Sequence, residues 1–317
     1  MHVLAQGVLL LAICCAVDAK LARGVRATWL PTSVRISAPD GMRELLKQLA
    51  DSGVNRIYVD VWNNGVAYFN SSVVRRLAGP GAISSDRLRM AVDAANTMSD
   101  FDVVAWMEYG LMACYGPVQG NAFAEAAAAR GWVIGSSGGW SWLDPPAASP
   151  LLVSMIQEIG ARYGVATQLD DHFACPAELA ACSAAKMDAA ALAISVSSRR
   201  LSLSPAPIGV AKERFSVDWV GWSERKLFGE YVPQLYTTQP DSFADALLDV
   251  LHQVAQRSQL VAGVRVDGSG LPTPWVNVSQ MLDMASAASV GVAIWYSDAI
   301  SRLFPTQFRA KWSHGQT

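Results

Sequence analysis

Charge is scarce in this chain. Lys and Arg total 25 and Asp and Glu 27 in 317 residues, for a formal net charge of −2. With no basic run, the electrostatic footprint of a nucleic-acid binder is missing. Histidine is scarcer still. The four are His2, His172, His252 and His314, and none stands in a zinc-binding spacing such as H-E-x-x-H. No G-x-G-x-x-G or Walker pattern occurs, which argues against a nucleotide-binding doubly wound sheet. No apolar run reaches the ~20 residues needed to span a bilayer. The expectation is a protein with no cofactor, no resident metal, no nucleic-acid partner and no integral membrane span.

The first 19 residues read as an export signal. Val8 to Ile13 form a short apolar core, and Val17-Asp18-Ala19 resembles a cleavage site. Leu11-Ala12-Ile13-Cys14 is a poor lipoprotein box because Ile13 is bulky, so a periplasmic or secreted protein is expected over a lipid-anchored one. The mature chain, residues 20–317, then keeps Cys114, Cys175 and Cys182. An odd number leaves at least one thiol unpaired within the chain. Cys175 and Cys182 are close enough in sequence for a short disulfide, and three free thiols are the alternative.

What the chain does have is a repeated alternation of strand and helix. Apolar, β-rich segments fall at 26–30, 56–63, 103–109, 165–170, 200–206, 231–237, 260–267 and 290–297. Helical stretches separate most of them, at 40–51, 84–99, 122–130, 150–163, 176–191, 242–258 and 277–288. Leu45, Leu46 and Leu49 share one helical face, as do Leu247, Leu248 and Leu251. Eight such units predict one (β/α)8 TIM barrel as a single domain.

Residues i and i+2 of a strand face the same side. Taking the less aliphatic side as the lumen sends inward Arg26 and Thr28; Tyr58, Asp60 and Trp62; Trp106 and Glu108; Gln168 and Asp170. The later strands add Ser202 and Ser204; Gln234 and Tyr236; Arg265 and Asp267; Trp295 and Ser297. A lumen built only for stability would be filled by Val, Ile and Leu, so this eightfold pattern predicts a site at the strands' C-terminal ends.

The sharpest feature is Leu169-Asp170-Asp171-His172-Phe173, an apolar strand ending in two acids. Charge where desolvation is costly needs a reason. The alternatives are an N-cap with a salt bridge, acid/base chemistry, or a metal held by Asp170, Asp171 and His172. Glycosidic cleavage uses two carboxyl groups. Here Asp171 is expected as the acid with its pKa raised, Asp170 as its support and Glu108 as the partner, with Asp267 competing for that role. Arg26 and Arg265 are the expected counter-charges. Trp62, Trp106 and Trp295, together with Tyr236, suit a sugar platform, and Tyr236 and Gln234 suit hydroxyl recognition; Asn63, Tyr109, His172, Arg265 and Asp267 are the other expected substrate-binding residues. Trp132, Trp140 and Trp142, after the third strand, fit either the cleft or the core. Gly268-Ser269-Gly270 has no histidine nearby in sequence, so serine hydrolysis is not expected.

Four segments together resemble the bacterial glycosyl-hydrolase-like 10 family of exported TIM barrels. They are Arg26-Ala27-Thr28-Trp29-Leu30, the Gly53–Asn63 run with Gly65 after it, Val104–Gly110, and Leu169–Phe173. The resemblance extends over roughly 23–297. It implies hydrolysis of a sugar polymer, with Glu108, Asp170 and Asp171 at the active centre. The chain departs from the family pattern at Ala166-Thr167, where an acidic residue and glycine are usual, and in loops after strands three and five that read as short. The expected substrate is a bacterial surface or cell-wall polysaccharide, one rich in amino sugars such as peptidoglycan glycan. A carbohydrate-binding barrel without turnover and a metal-dependent deacetylase or esterase are the rival readings.

Overall fold

The structure is a computed structural model that describes residues 24–198, 200–255, 259–268 and 270–313. The expected export signal lies outside them. No helix among the described residues is long and apolar enough to cross a membrane.

Eight parallel strands form one sheet: β1 (Arg26–Leu30), β2 (Arg56–Asp60), β3 (Asp102–Met107), β4 (Ala166–Leu169), β5 (Leu201–Leu203), β6 (Glu230–Tyr231), β7 (Val261–Arg265) and β8 (Gly291–Trp295). They follow in chain order, with β1 also paired to β8. Parallel bridges from Tyr231 to Leu260 and from Gln234 to Gly263 join β6 to β7 and close the ring. That last seam needs glycine, because a Cβ at Gly263 would sit 2.7 Å from the Pro233 carbonyl oxygen. All eight strands lie where the sequence places them, though most are shorter than expected.

The helices hold the barrel by one apolar stripe each. In α1 (Pro39–Asp51), proline opens the first turn and Met42, Leu46 and Leu49 are buried. In the helix Pro240–Gln253, Leu247 and Leu251 face the core as expected, but Leu248 is 51% exposed. Two helices start elsewhere than expected. Pro145–Tyr163 begins five residues before Pro150 and carries that proline inside it. Ala184–Ser195 begins only after a loop closed by the Cys175–Cys182 disulfide, with Ser183 as its cap. Cys114 is free and buried.

The connection after β3 is far from short. A three-stranded antiparallel sheet, Met112–Tyr115, Val133–Ser137 and Trp140–Leu143, stands over the barrel's C-terminal face. After β5, where the sequence pattern placed no clear helical stretch, two helices follow, Ile208–Phe215 and Trp219–Glu224.

The lumen is a packed core, and one strand is flipped from expectation. Val25, Ala27 and Trp29 point inward with Tyr58, Val104 and Trp106, so Arg26 and Thr28 point out. Arg26 donates from Nη1 to the Trp312 backbone oxygen and lies over that indole, 6.0 Å from its centroid. A polar residue that finds its partners on the helical layer has no need of the lumen. Trp29 fills it instead, stacked on Tyr58 and donating to Gln168 Oε1 at 2.8 Å. Below it, buried Glu230 accepts from Arg56 Nη1, from Tyr58 Oη at 3.0 Å and from Ser202 Oγ at 2.9 Å. This ionic floor joins β2, β5 and β6, and nothing in the sequence pattern marked Glu230.

Candidate active site

The acids gather where β2, β3 and β4 end. Met107 pairs with Leu169, so Glu108 and Asp170 leave neighbouring strands at one level. Gly110 then lets the two strand ends close up. Its φ is +43°, and a Cβ there would lie 2.5 Å from the Phe173 nitrogen and 2.6 Å from the His172 carbonyl oxygen. Leu111 N donates to that same His172 oxygen at 2.9 Å.

Asp60, at the end of β2, belongs to this cluster and is completely buried. Asn63 Nδ2 donates to Asp60 Oδ2 at 2.8 Å and to Glu108 Oε2 at 2.6 Å. Asn63 thus bridges the two carboxyls. Among the described residues Asp60 Oδ1 has no hydrogen-bond partner. Burial, then the Asp60 carboxylate beside it, pushes the Glu108 carboxyl well above the usual carboxylate range. Burial also raises Asp60, opposed by its bonds to Glu108 and Asn63 and by the Arg87 charge. Arg87, a buried cation the sequence reading missed, donates to the carbonyls of Val34 and Pro31 and so pins the loop after β1.

Asp170 is 5% exposed and accepts from Gln234 Nε2 at 2.8 Å. Burial first and the Asp171 charge second raise its carboxyl well above the usual range, with the Trp106 indole opposing. Tyr236 faces the same acids. Burial and then the charges of Asp170 and Asp171 push its phenol up. Asp171 and His172 are half-buried one step further out. His172 Nδ1 is 3.0 Å from the Glu108 backbone oxygen and 3.6 Å from Asp171 Oδ1. A proton on Nδ1 donates to that oxygen and leaves Nε2 free. Asp170, Asp171 and His172 also bring one donor atom each within 4.8 Å of one another.

A cleft of about 240 Å³ opens at Glu108, lined by Thr32, Ser33, Asn63, Gly268, Trp295 and Tyr296. Trp295 is half-buried there, against Trp29, Trp106 and Tyr236. Trp62 is not at the mouth. It sits in the hairpin after β2, 1% exposed, edge-on to Phe123 in the outer core. The reason is the strand's end at Asp60: the inward alternation stops there and the chain turns away. Trp106 is fully buried within the lumen. Tyr109 is 8% exposed beside His172.

On the far rim, Arg265 donates to the Leu271 carbonyl rather than to an acid, and Asp267 lies near Tyr296, whose phenol burial raises most and Asp298 and Asp267 raise further. Neither expected counter-charge, Arg26 or Arg265, touches the acids; the nearby cation is Arg87. Of the three later tryptophans, Trp142 is buried, Trp132 lies under Arg130, and Trp140 reaches His172. Gly135-Ser136-Ser137-Gly138-Gly139 has the spacing of a serine-nucleophile elbow, a match the sequence reading passed over. It forms an antiparallel hairpin, not a strand-to-helix turn, and Ser137 Oγ donates to Glu178.

The ring of parallel strands, with acids at its C-terminal mouth, defines a TIM barrel. The chain belongs to the glycosyl hydrolase-like 10 family, whose model matches residues 24–189. That match ends within the helix after the paired acids, short of the extent expected from sequence. A search of curated proteins gave no match. Among solved structures, the catalytic domain of a family GH18 chitinase from the fern Peteris ryukyuensis superposes with a TM-score of 0.52 at 11% identity, covering 91% of this chain and 97% of that one. A family 5 glycoside hydrolase from Bacteroides vulgatus gives 0.53 at 11%, covering 88% and 59%. The GH36 α-galactosidase AgaA of Geobacillus stearothermophilus gives 0.55 at 8%, covering 87% and 39%. At these identities the likeness is one of fold.

Proposed function

We propose that this protein is an exported glycoside hydrolase acting on a bacterial surface or cell-wall polysaccharide, one rich in amino sugars. The observation that carries the reading is the Glu108 carboxyl. It opens on a cleft, burial and the Asp60 charge push it well above the usual carboxylate range, and a second acid, Asp171, stands at the adjoining strand end. An acid that works near neutrality needs a raised pKa. Glu108 gives its proton to the leaving glycosidic oxygen as the C–O bond breaks. Asp171 either takes a proton from the attacking water or attacks the anomeric carbon itself. Asp170, pushed up by burial and by the Asp171 charge, stands beside them as support. The assignment exchanges the roles expected for Asp171 and Glu108, because burial and the Asp60 charge push the Glu108 carboxyl up. Export is supported by the apolar segment at residues 8–13 and by the disulfide at Cys175–Cys182.

The test is release of reducing ends from a panel of bacterial glycans, peptidoglycan strands included. Glu108→Gln and Asp171→Asn are each expected to lower turnover by ~10²-fold or more. Near-normal activity of Glu108→Gln overturns the acid assignment. Glycan binding by the wild type without any turnover favours a binding barrel. The grouping of Asp170, Asp171 and His172 favours a second reading, a metal-dependent deacetylase. Stoichiometric metal in the purified protein, with release of acetate in place of reducing ends, would establish it.

A further inference from the structure

The sheet inserted after β3 sets two aromatic rings at solvent beside the acids, and the hydrolytic step uses neither. Tyr115 is 63% exposed. Its ring meets Trp140 edge-on, with centroids 5.5 Å apart. Trp140 lies 6.1 Å from His172, whose Nδ1 contacts the Glu108 backbone oxygen. The row therefore runs from open solvent to the strand end that carries Glu108.

Both rings are held in place. Tyr115 N donates to Asn64 Oδ1 at 2.8 Å, and Gly116 N donates to the Gly139 oxygen at 2.8 Å. Gly138 and Gly139 have φ of +61° and +87°, and Cβ atoms there would lie 2.9 Å from Trp140 and 3.0 Å from Tyr115. Two left-handed glycines pressed against the rings make a shaped support, which a freely moving loop tip would not need. Uncharged, rigid, amphipathic rings bind the C–H faces of sugars while a phenol or indole N–H reaches a hydroxyl. Asp171 and Glu178 flank the strip, so a polyanion would be repelled along it.

We propose that Tyr115 and Trp140 form an outer sugar-binding strip for a neutral polysaccharide, which extends substrate contact beyond the sugars next to the acids. The proposal rests on the glycan-hydrolase reading of the adjoining acids. It is tested by direct binding, which needs no turnover. Calorimetry on the mature protein would compare chitobiose with chitohexaose, and cellobiose with cellohexaose. In the wild type at least one hexasaccharide is expected to bind about tenfold or more tightly than its disaccharide. Tyr115→Ala, a change at an exposed position, and Trp140→Ala should each bring that ratio close to one. A ratio unchanged in Tyr115→Ala overturns the strip, as does a wild type that binds neither hexasaccharide. A wild type that shows the length-dependent binding, and variants that lose it, keep the strip even if no glycan is cleaved; that result would overturn only the hydrolase reading.

Discussion

Asn63 donates from Nδ2 to Glu108 Oε2 at 2.6 Å. Its other short bond, to Asp60 Oδ2, ties a completely buried carboxyl to the one that opens on the cleft. Asn63 therefore holds the two carboxyls side by side, so that the charge on one bears on the other.

Removing the Asp60 charge should therefore release the Glu108 proton earlier. In Asp60→Asn the neighbouring negative charge that raises Glu108 is gone. The alkaline limb of the kcat/KM profile should move to lower pH by about one pH unit or more. An unshifted limb with reduced kcat would make Asp60 a packing residue only. Carboxyl infrared or carbon NMR titration of Glu108 reads the same change without substrate.

The raised acids also make stability fall as pH rises. A carboxyl whose folded pKa lies above its unfolded value contributes stability that is full below the unfolded pKa and is lost as pH climbs through the folded one. For Glu108 that decline begins at about pH 4.5 and extends upward. Glu108→Gln and Asp170→Asn should match the wild-type Tm near the ordinary carboxylate pKa and exceed it at about pH 8. Equal Tm differences at both pH values would contradict the buried, protonated state.

The barrel floor has the opposite character, because there the charges are paired. Arg56 donates to Asp102 at 2.9 Å and to Glu230, and the paired acids raise its pKa against the cost of burial. Arg56→Met leaves the Glu230 carboxylate buried without its cation and should cost roughly 3–5 kcal/mol in denaturant unfolding. A loss below about 1 kcal/mol would mean that the pair contributes no more than an exposed ion pair does.

Gly110 tests the link between backbone and chemistry. Its φ of +43° and the 2.5 Å approach to Phe173 N leave no room for a methyl group. Gly110→Ala should push the Asp170–Phe173 turn away from β3 and lower kcat by tenfold or more, since small displacements of reacting groups are costly. Wild-type kcat together with an unchanged Tm would show that the turn absorbs the methyl elsewhere.

The strands and the paired acids were legible because their signals are local. An apolar run such as Val103–Met107 is buried on both faces wherever it sits in a parallel sheet, and an acid at such a strand's end is placed by the direction of the chain alone. Glu108, Asp170 and Asp171 follow from that rule, whereas Gln234 and Tyr236 lie past the end of β6 and reach the acids from the connection after it. It failed at Trp62, where β2 had already ended, and at Arg26, whose partner Trp312 comes from the far end of the chain.

By itself the sequence determined the eight-unit barrel and which strand ends carry carboxyls, because hydrophobic period and strand polarity are properties of each segment. The tertiary structure decided which carboxyls are pushed above their usual range. For Glu108 that depends on burial and on Asp60 and Asn63, which reach it from another segment of the chain. It also decided which aromatic rings face solvent, because exposure is settled by what packs above a residue, and no single segment contains that information.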